Sequence, residues 1–217
     1  MSHLTVVDLV PVVYSAGTVF DRLQVGRQAT RSFLRSGDLS GILSRTDLAL
    51  LEDLRDAAKY VLDHTGEPVN GRFVSNLNAV MTRSASTRPG ELRRDDQRIG
   101  VATSYGLYAP PTITAQELDA LVASALSRND PLDRALDLFV KIAKAQPFMD
   151  GNKRTALFVA NAELIASGGG RLLTIPVDDE DSSVAAEFTD RLARAYVFGE
   201  DEGVRRLLAE QGAMPSL

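Results

Sequence analysis

Two apolar-periodic segments meeting at a tight break constrain this chain more than any other feature. Leu132, Ala135, Leu136, Phe139, Ile142 and Ala143 recur at helical steps, and Leu157, Ala160, Asn161, Leu164 and Ile165 resume the pattern. Between them runs Ala145-Gln146-Pro147-Phe148-Met149-Asp150-Gly151-Asn152-Lys153-Arg154-Thr155-Ala156. Pro147 biases Gln146 away from helical dihedrals, which ends the first helix near Ala145. Gly151 and Asn152 tolerate the dihedrals of a tight turn. A second helix begins about Asn152, where unpaired N–H groups and the helix dipole favour an anion. Lys153 and Arg154 add positive charge there, and Asp150 could hold a hard cation such as Mg²⁺. Together these residues describe a phosphate–metal site. They would also serve a plain helix–loop–helix junction with Lys153 and Arg154 facing water, but cations are mildly unfavourable at a helix start and favour an anionic partner.

The rest of the chain reads as mostly helical. Residues 1–20 carry β-branched residues split by Pro11 and are expected to form an extended or irregular lead-in. Leu48, Leu51, Leu54, Ala58, Val61 and Leu62 mark an amphipathic helix over 46–63, stopped by Gly66 and Pro68. A short helix fits Phe73 to Met81. From Ser84 to Val101 apolar content is scant and arginines are frequent, and a polar excursion of this length is more often functional than filler. Thr114 and Glu117 form a capping box for the next helix, and Asn129-Asp130-Pro131 opens the one after. Gly168 to Gly170 closes the helix that follows the central turn, and two helices are expected over Val184–Tyr196 and Glu200–Gln211. A net charge of −5 argues against a general nucleic-acid binder. The chain contains no cysteine, which excludes thiolate chemistry and is compatible with the cytoplasm. The apolar run Leu4 to Val13 is too short to span a membrane and is interrupted by Asp8.

Gln146 to Arg154, reading QPFMDGNKR, resembles the Fic/Doc motif, His-Pro-Phe-x-Asp/Glu-Gly-Asn-(Gly or Lys)-Arg. Arg88 to Arg93, Ile99-Gly100 and Tyr108 to Pro111 resemble the family's flap and its exit. The resemblance covers roughly residues 30–210. It implies a mainly α fold, a Fic/Doc-like helical bundle with a small β-hairpin flap. The expected division is a lead-in over 1–30 and a helical domain over 31–212, with the flap about 84–108 and the active loop at 146–154. It also implies ATP and Mg²⁺ as cofactors, with transfer of AMP or, as in the Doc branch, a phosphoryl group onto a hydroxyl of a target protein. By matching position, Asp150 binds the metal, and Gly151, Asn152, Lys153 and Arg154 bind phosphates. Gly90, Glu91, Leu92 and Arg93 belong to the flap that docks the target segment.

Three departures separate the chain from the family pattern. Gln146 stands at the position of the general-base histidine, and a neutral amide has no accessible pKa with which to take a proton. Loss of such a base costs on the order of 10²–10⁴-fold in rate. Ser36, Ser40 and Gly41 lie where many members carry an inhibitory Ser/Thr-x-x-x-Glu-Gly/Asn motif, with Ser40 at the glutamate position. Leu157 replaces the second arginine, which pairs with that glutamate. The resemblance therefore implies a divergent transferase of weak or altered activity or, alternatively, a non-catalytic nucleotide- or peptide-binding module. A structural relic is the third reading.

Overall fold

The computed structural model describes residues 4–84 and 88–216. Residues 1–3 of the expected lead-in and 85–87 of the expected flap lie outside the described residues. The N-terminal segment is helical, which corrects the extended lead-in expected from its valines. A 3₁₀ turn (Val6–Leu9) leads into α1 (Val10–Asp21). Pro11 sits in its first turn, where a missing N–H breaks no helical hydrogen bond. Leu9, Val12, Val13 and Ala16 are all fully buried, and β-branched propensity yields to packing on several sides.

α2 (Arg27–Ser36) and α3 (Arg45–Asp63) follow, the latter capped by Ser44 Oγ, which accepts from the amides of Thr46 and Asp47. α4 (Gly71–Ala79) is capped by Asn70. An antiparallel hairpin comes next, β1 (Val101–Thr103) with β2 (Gly106–Tyr108), Ala102 facing Leu107. It is a much smaller strand pair than the expected flap span. α5 (Ala115–Leu126) begins at the Thr114–Glu117 capping box, and α6 (Pro131–Ala145) at Asp130, which accepts from Leu132 and Asp133 N–H.

α7 (Asn152–Ala166) is the centre of the molecule. It packs on α6 along its length and also meets α1, α3 and α4. Ala156, Leu157, Phe158, Val159 and Ala160 are consecutive and fully buried, so the helix has no polar stripe. β3 (Arg171–Leu173), α8 (Ser182–Phe198) and α9 (Asp201–Leu207) complete the bundle. The expected last helix runs its expected length, its final turn widening to a π turn (Leu208–Gly212) before β4 (Ala213–Pro215), which pairs antiparallel with β3. Among the described residues no helix is long and apolar enough to cross a membrane.

Candidate functional site

The loop between α6 and α7 is held by its own polar groups. Gln146 ends α6 in the left-handed region, φ 47°, a conformation that a non-glycine residue adopts only under constraint. Its amide N–H donates to Ile142 O at 3.1 Å, and its side-chain Nε2 to Ala143 O at 2.6 Å. Arg93 supplies the rest. Its Nε donates to Gln146 O at 2.7 Å and its backbone N–H to Pro147 O at 2.9 Å. Asn152 closes the loop, its Oδ1 accepting from Phe148 N–H and its Nδ2 donating to Phe148 O, both at 2.8 Å. Gly151 takes φ 72°, and a Cβ there would stand 3.1 Å from Asn78 Nδ2. That Asn78 amide donates to Asp150 O and Thr155 Oγ1, tying the turn to α4.

Rigid loop geometry leaves the start of α7 open. The N–H groups of Asn152, Lys153 and Arg154 donate to no acceptor among the described residues, and Gly151 offers no side-chain cap. Such amides carry the positive end of the helix dipole. Arg154 is 2% exposed; its Nη1 donates to Ser84 Oγ at 2.8 Å and its Nη2 lies 3.5 Å from Asp150 Oδ1. Its Nε is 3.3 Å from Asp21 Oδ2 but is left without a hydrogen bond. Lys153 sits over the Phe20 ring at 5.2 Å, and burial, partly offset by Asp21, holds its pKa below the usual lysine range. These groups line a cavity of about 140 Å³ with Gln146, Met149, Asp150 and Val101.

Asp21 is the carboxylate that sequence reading missed. It ends α1 and faces Arg154 and Lys153 from across the cavity. Burial raises its pKa, Arg154 and Lys153 act in the lowering sense, and Asp150 repels it further upward. Asp53 on α3 was missed as well. Fully buried, it accepts from the amides of Thr82, Arg83 and Ser84 and from Ser84 Oγ, which in turn receives Arg154. Arg154 is thus positioned from two sides.

Other expected site residues occupy different places. Gly151 N–H donates to the Asp150 carboxylate at 2.6 Å, and the Asn152 side chain is consumed by the loop. Among the described residues Asp150 Oδ2 takes no hydrogen bond, and the side chain is half-exposed. Arg93 is 5% exposed, with Nη2 on Pro110 O and Pro111 O and Nη1 on Gln97 O. It braces the loop and is not presented for docking. Gly90 N–H donates to Asn78 Oδ1 at 2.7 Å, whereas Glu91 is exposed and ion-pairs with Arg88, and Leu92 packs partly against the core. Ser36, Ser40 and Gly41 lie exposed at and beyond the end of α2; Ser36 Oγ donates to Ser32 O and Ser40 N–H to Asp38.

A second cavity of about 700 Å³ adjoins the first and shares Lys153 with it. The hairpin (Val101, Ala102, Thr103), α8 (Leu192, Ala193, Tyr196) and Thr18 of α1 line it. Tyr105 at the hairpin turn donates to Asp190 on α8 at 2.7 Å, so hairpin and helix are joined over this cavity.

The model of the Fic/DOC family matches residues 50–164, just over half of the sequence, from within α3 through most of α7. The chain belongs to the Fic/DOC family. Among solved structures, Fic-1 from C. elegans superposes with a TM-score of 0.71 at 19% identity, covering 93% of this chain and 59% of that one. A Fic domain containing signaling protein from Bacteroides thetaiotaomicron gives 0.65 at 17% identity, covering 93% of this chain and 81% of that one. At these identities the likeness is one of fold, and this Fic/DOC chain spans less than two thirds of the C. elegans chain. No curated protein matches the sequence. The mainly helical bundle with a small hairpin, expected from QPFMDGNKR and the helix pair around it, is the fold observed.

Proposed function

We propose that the α6–α7 loop grips the phosphates of a nucleotide and that the protein transfers AMP or a phosphoryl group to a hydroxyl of a target protein, slowly because Gln146 replaces the general base. One observation carries this reading: three unpaired first-turn amides, Lys153 and Arg154 converge on the cavity beside Asp150. Both groups fit the residues present. Asp150 offers one uncommitted carboxylate oxygen, and no cluster of three potential metal ligands exists among the described residues. A single carboxylate completed by phosphate oxygens is the ordinary way Mg²⁺ is held, and the ion would neutralise phosphate charge there. The larger cavity, walled by Val101, Ala102, Leu192 and Ala193, suits the apolar faces of a nucleoside. A target segment would pair with the hairpin, whose two strands leave outer edges unpaired.

Gln146 orients a hydroxyl but does not deprotonate it. Positioning and electrostatics supply much of phosphoryl-transfer catalysis, so slow turnover is consistent with this site. A non-catalytic nucleotide-binding module is the second reading, favoured by the Gln146 amide being 6% exposed and turned back onto Ala143 O. A side-by-side assay of labelled ATP transfer onto lysate proteins separates the two. Transfer that rises in Gln146→His supports the transferase, and silence from both forms supports the binding module. Absence of calorimetric heat with ATP, ADP or CDP-linked donors counts against both.

A further inference from the structure

Side chains at the tip of a tight turn ordinarily face water, yet Tyr105, at the tip of the hairpin, is committed to α8. Its hydroxyl donates to Asp190 Oδ1 at 2.7 Å and accepts from Arg194 Nη1 at 3.3 Å. Its ring meets the Phe198 ring edge-on at 5.1 Å, and the Arg194 guanidinium lies over the two rings at 5.6 and 5.7 Å. Asp190, Arg194 and Phe198 follow one another at four-residue steps, so one face of α8 makes the whole contact. Glu200 holds Arg194 in turn, accepting from its Nε at 2.7 Å. The backbone of the tip is fixed as well, since Thr103 Oγ1 accepts from Tyr105 N–H at 3.1 Å and donates to Gly106 O at 2.6 Å. This clasp spans the larger cavity, with Ala102, Thr103 and Ser104 on one wall and Ala186, Thr189 and Ala193 of α8 on another. Val101 borders the phosphate cavity too, and β1 runs about 7 Å from it to Thr103 before the turn. The clasp therefore sits at the end of the larger cavity away from the phosphate site. Two strands of three residues do not hold a wall in place unaided. At the root of the hairpin Arg93 braces Pro110 O and Pro111 O, and Tyr108 stacks on Tyr196 at 5.1 Å and donates to Lys144 O at 3.1 Å. Tyr105 supplies the matching support at the tip.

We propose that the Tyr105 clasp fixes the width of the nucleoside half of the site, making Tyr105 a positioning residue that gives the protein its preference for a nucleotide over a bare phosphate chain. The proposal rests on the phosphate-site reading above. With the clasp released the hairpin wall samples wider positions, and nucleotide affinity falls with the fraction of time that the cavity keeps its binding width. The start of α7 does not depend on the hairpin tip, so its hold on phosphates stays as it was. Tyr105→Phe deletes both polar contacts and keeps the ring, and Tyr105→Ala removes the ring as well. Tyr105 is exposed and outside the core, so both variants should melt with the parent. In titration calorimetry on the full chain, Mg-ATP affinity should fall about threefold in Tyr105→Phe and about tenfold in Tyr105→Ala, while affinity for magnesium tripolyphosphate stays at the parent value. Asp190→Ala should reproduce the Tyr105→Phe loss, and the double variant should add little to it, because both remove one contact. Without ligand, the hairpin amides over 101–108 should exchange hydrogen faster in Tyr105→Ala, and exchange at the parent rate overturns the inference. Mg-ATP affinity that is unchanged in Tyr105→Ala, or tripolyphosphate affinity that falls in step with it, overturns the inference and leaves the phosphate site standing. So does a parent protein that binds tripolyphosphate but not Mg-ATP. Binding of neither ligand by the parent overturns the inference and the phosphate-site reading together.

Discussion

Replacing Asp21 with Asn tests whether the cations at the start of α7 are set against a carboxylate that a phosphate must displace. Asp21 Oδ2 lies 3.3 Å from Arg154 Nε, and that separation gives a gross attraction of about 1 kcal/mol at the dielectric of water and about 5 kcal/mol at an effective dielectric near 20. The net term is smaller than the upper figure. Asp21 keeps 30% of its side chain exposed, and Arg154 retains Ser84 and Asp150 when Asp21 is neutral. A bound phosphate would also be relieved of repulsion from the missing charge. Together these give an expected gain of about 1–2 kcal/mol, or roughly 5–30-fold in affinity. Folding should not suffer. The raised pKa of Asp21 means that burial outweighs its attraction to Arg154 and Lys153, so its charge weakens the folded state relative to the unfolded one and a neutral Asn carries no cost on that account. Calorimetric titration of both proteins with Mg-ATP, with thermal melts alongside, is the assay. Unchanged or weaker binding in a well-folded Asp21→Asn protein would refute the reasoning.

The same carboxylate predicts a pH dependence. Its folded pKa is raised, so the neutral form persists to higher pH than in an ordinary aspartate, and the stability it lends is full below the unfolded value and lost as pH rises through the folded one. Nucleotide affinity of the parent should accordingly converge on that of Asp21→Asn as the pH falls toward the raised pKa of Asp21, and should do so at a higher pH than an ordinary aspartate would give; a ratio that stays constant on acidification would contradict this. Asp53→Ala should cost about 3–5 kcal/mol in chemical denaturation, because it removes a buried carboxylate that accepts from the amides of Thr82, Arg83 and Ser84 and releases the Ser84 hydroxyl that holds Arg154. A loss below about 1 kcal/mol would mean that the 82–84 turn is held by something other than this carboxylate.

Helices whose apolar residues fall on one stripe were legible in the sequence. α3, α5 and α6 were read to within a residue or two because their caps (Ser44, Thr114, Asp130) and their polar faces coexist. α1 was not, because Val10, Val12, Val13 and Ala16 are buried on different sides, which erases the period, and Pro11 reads as a breaker until its place in the first turn is known. The loop residues Gln146 to Arg154 were legible as a unit, but their division of labour was not. The sequence does not say that Asn152 spends its side chain on Phe148, that Gly151 N–H is taken by Asp150, or that Arg93 braces the loop from more than fifty residues away. Asp21 and Asp53 carry no local signal, since each matters through a partner distant in sequence: Arg154 for Asp21, and the 82–84 turn for Asp53.

The most direct measurement of the account is an amide-resolved NMR titration of the labelled protein with Mg-ATP. The N–H signals of Asn152, Lys153 and Arg154 should move together and saturably, because these donors have no acceptor among the described residues. If ATP binds while those three signals stay still, or if nothing in the α6–α7 loop responds, the phosphate grip assigned to the start of α7 is wrong.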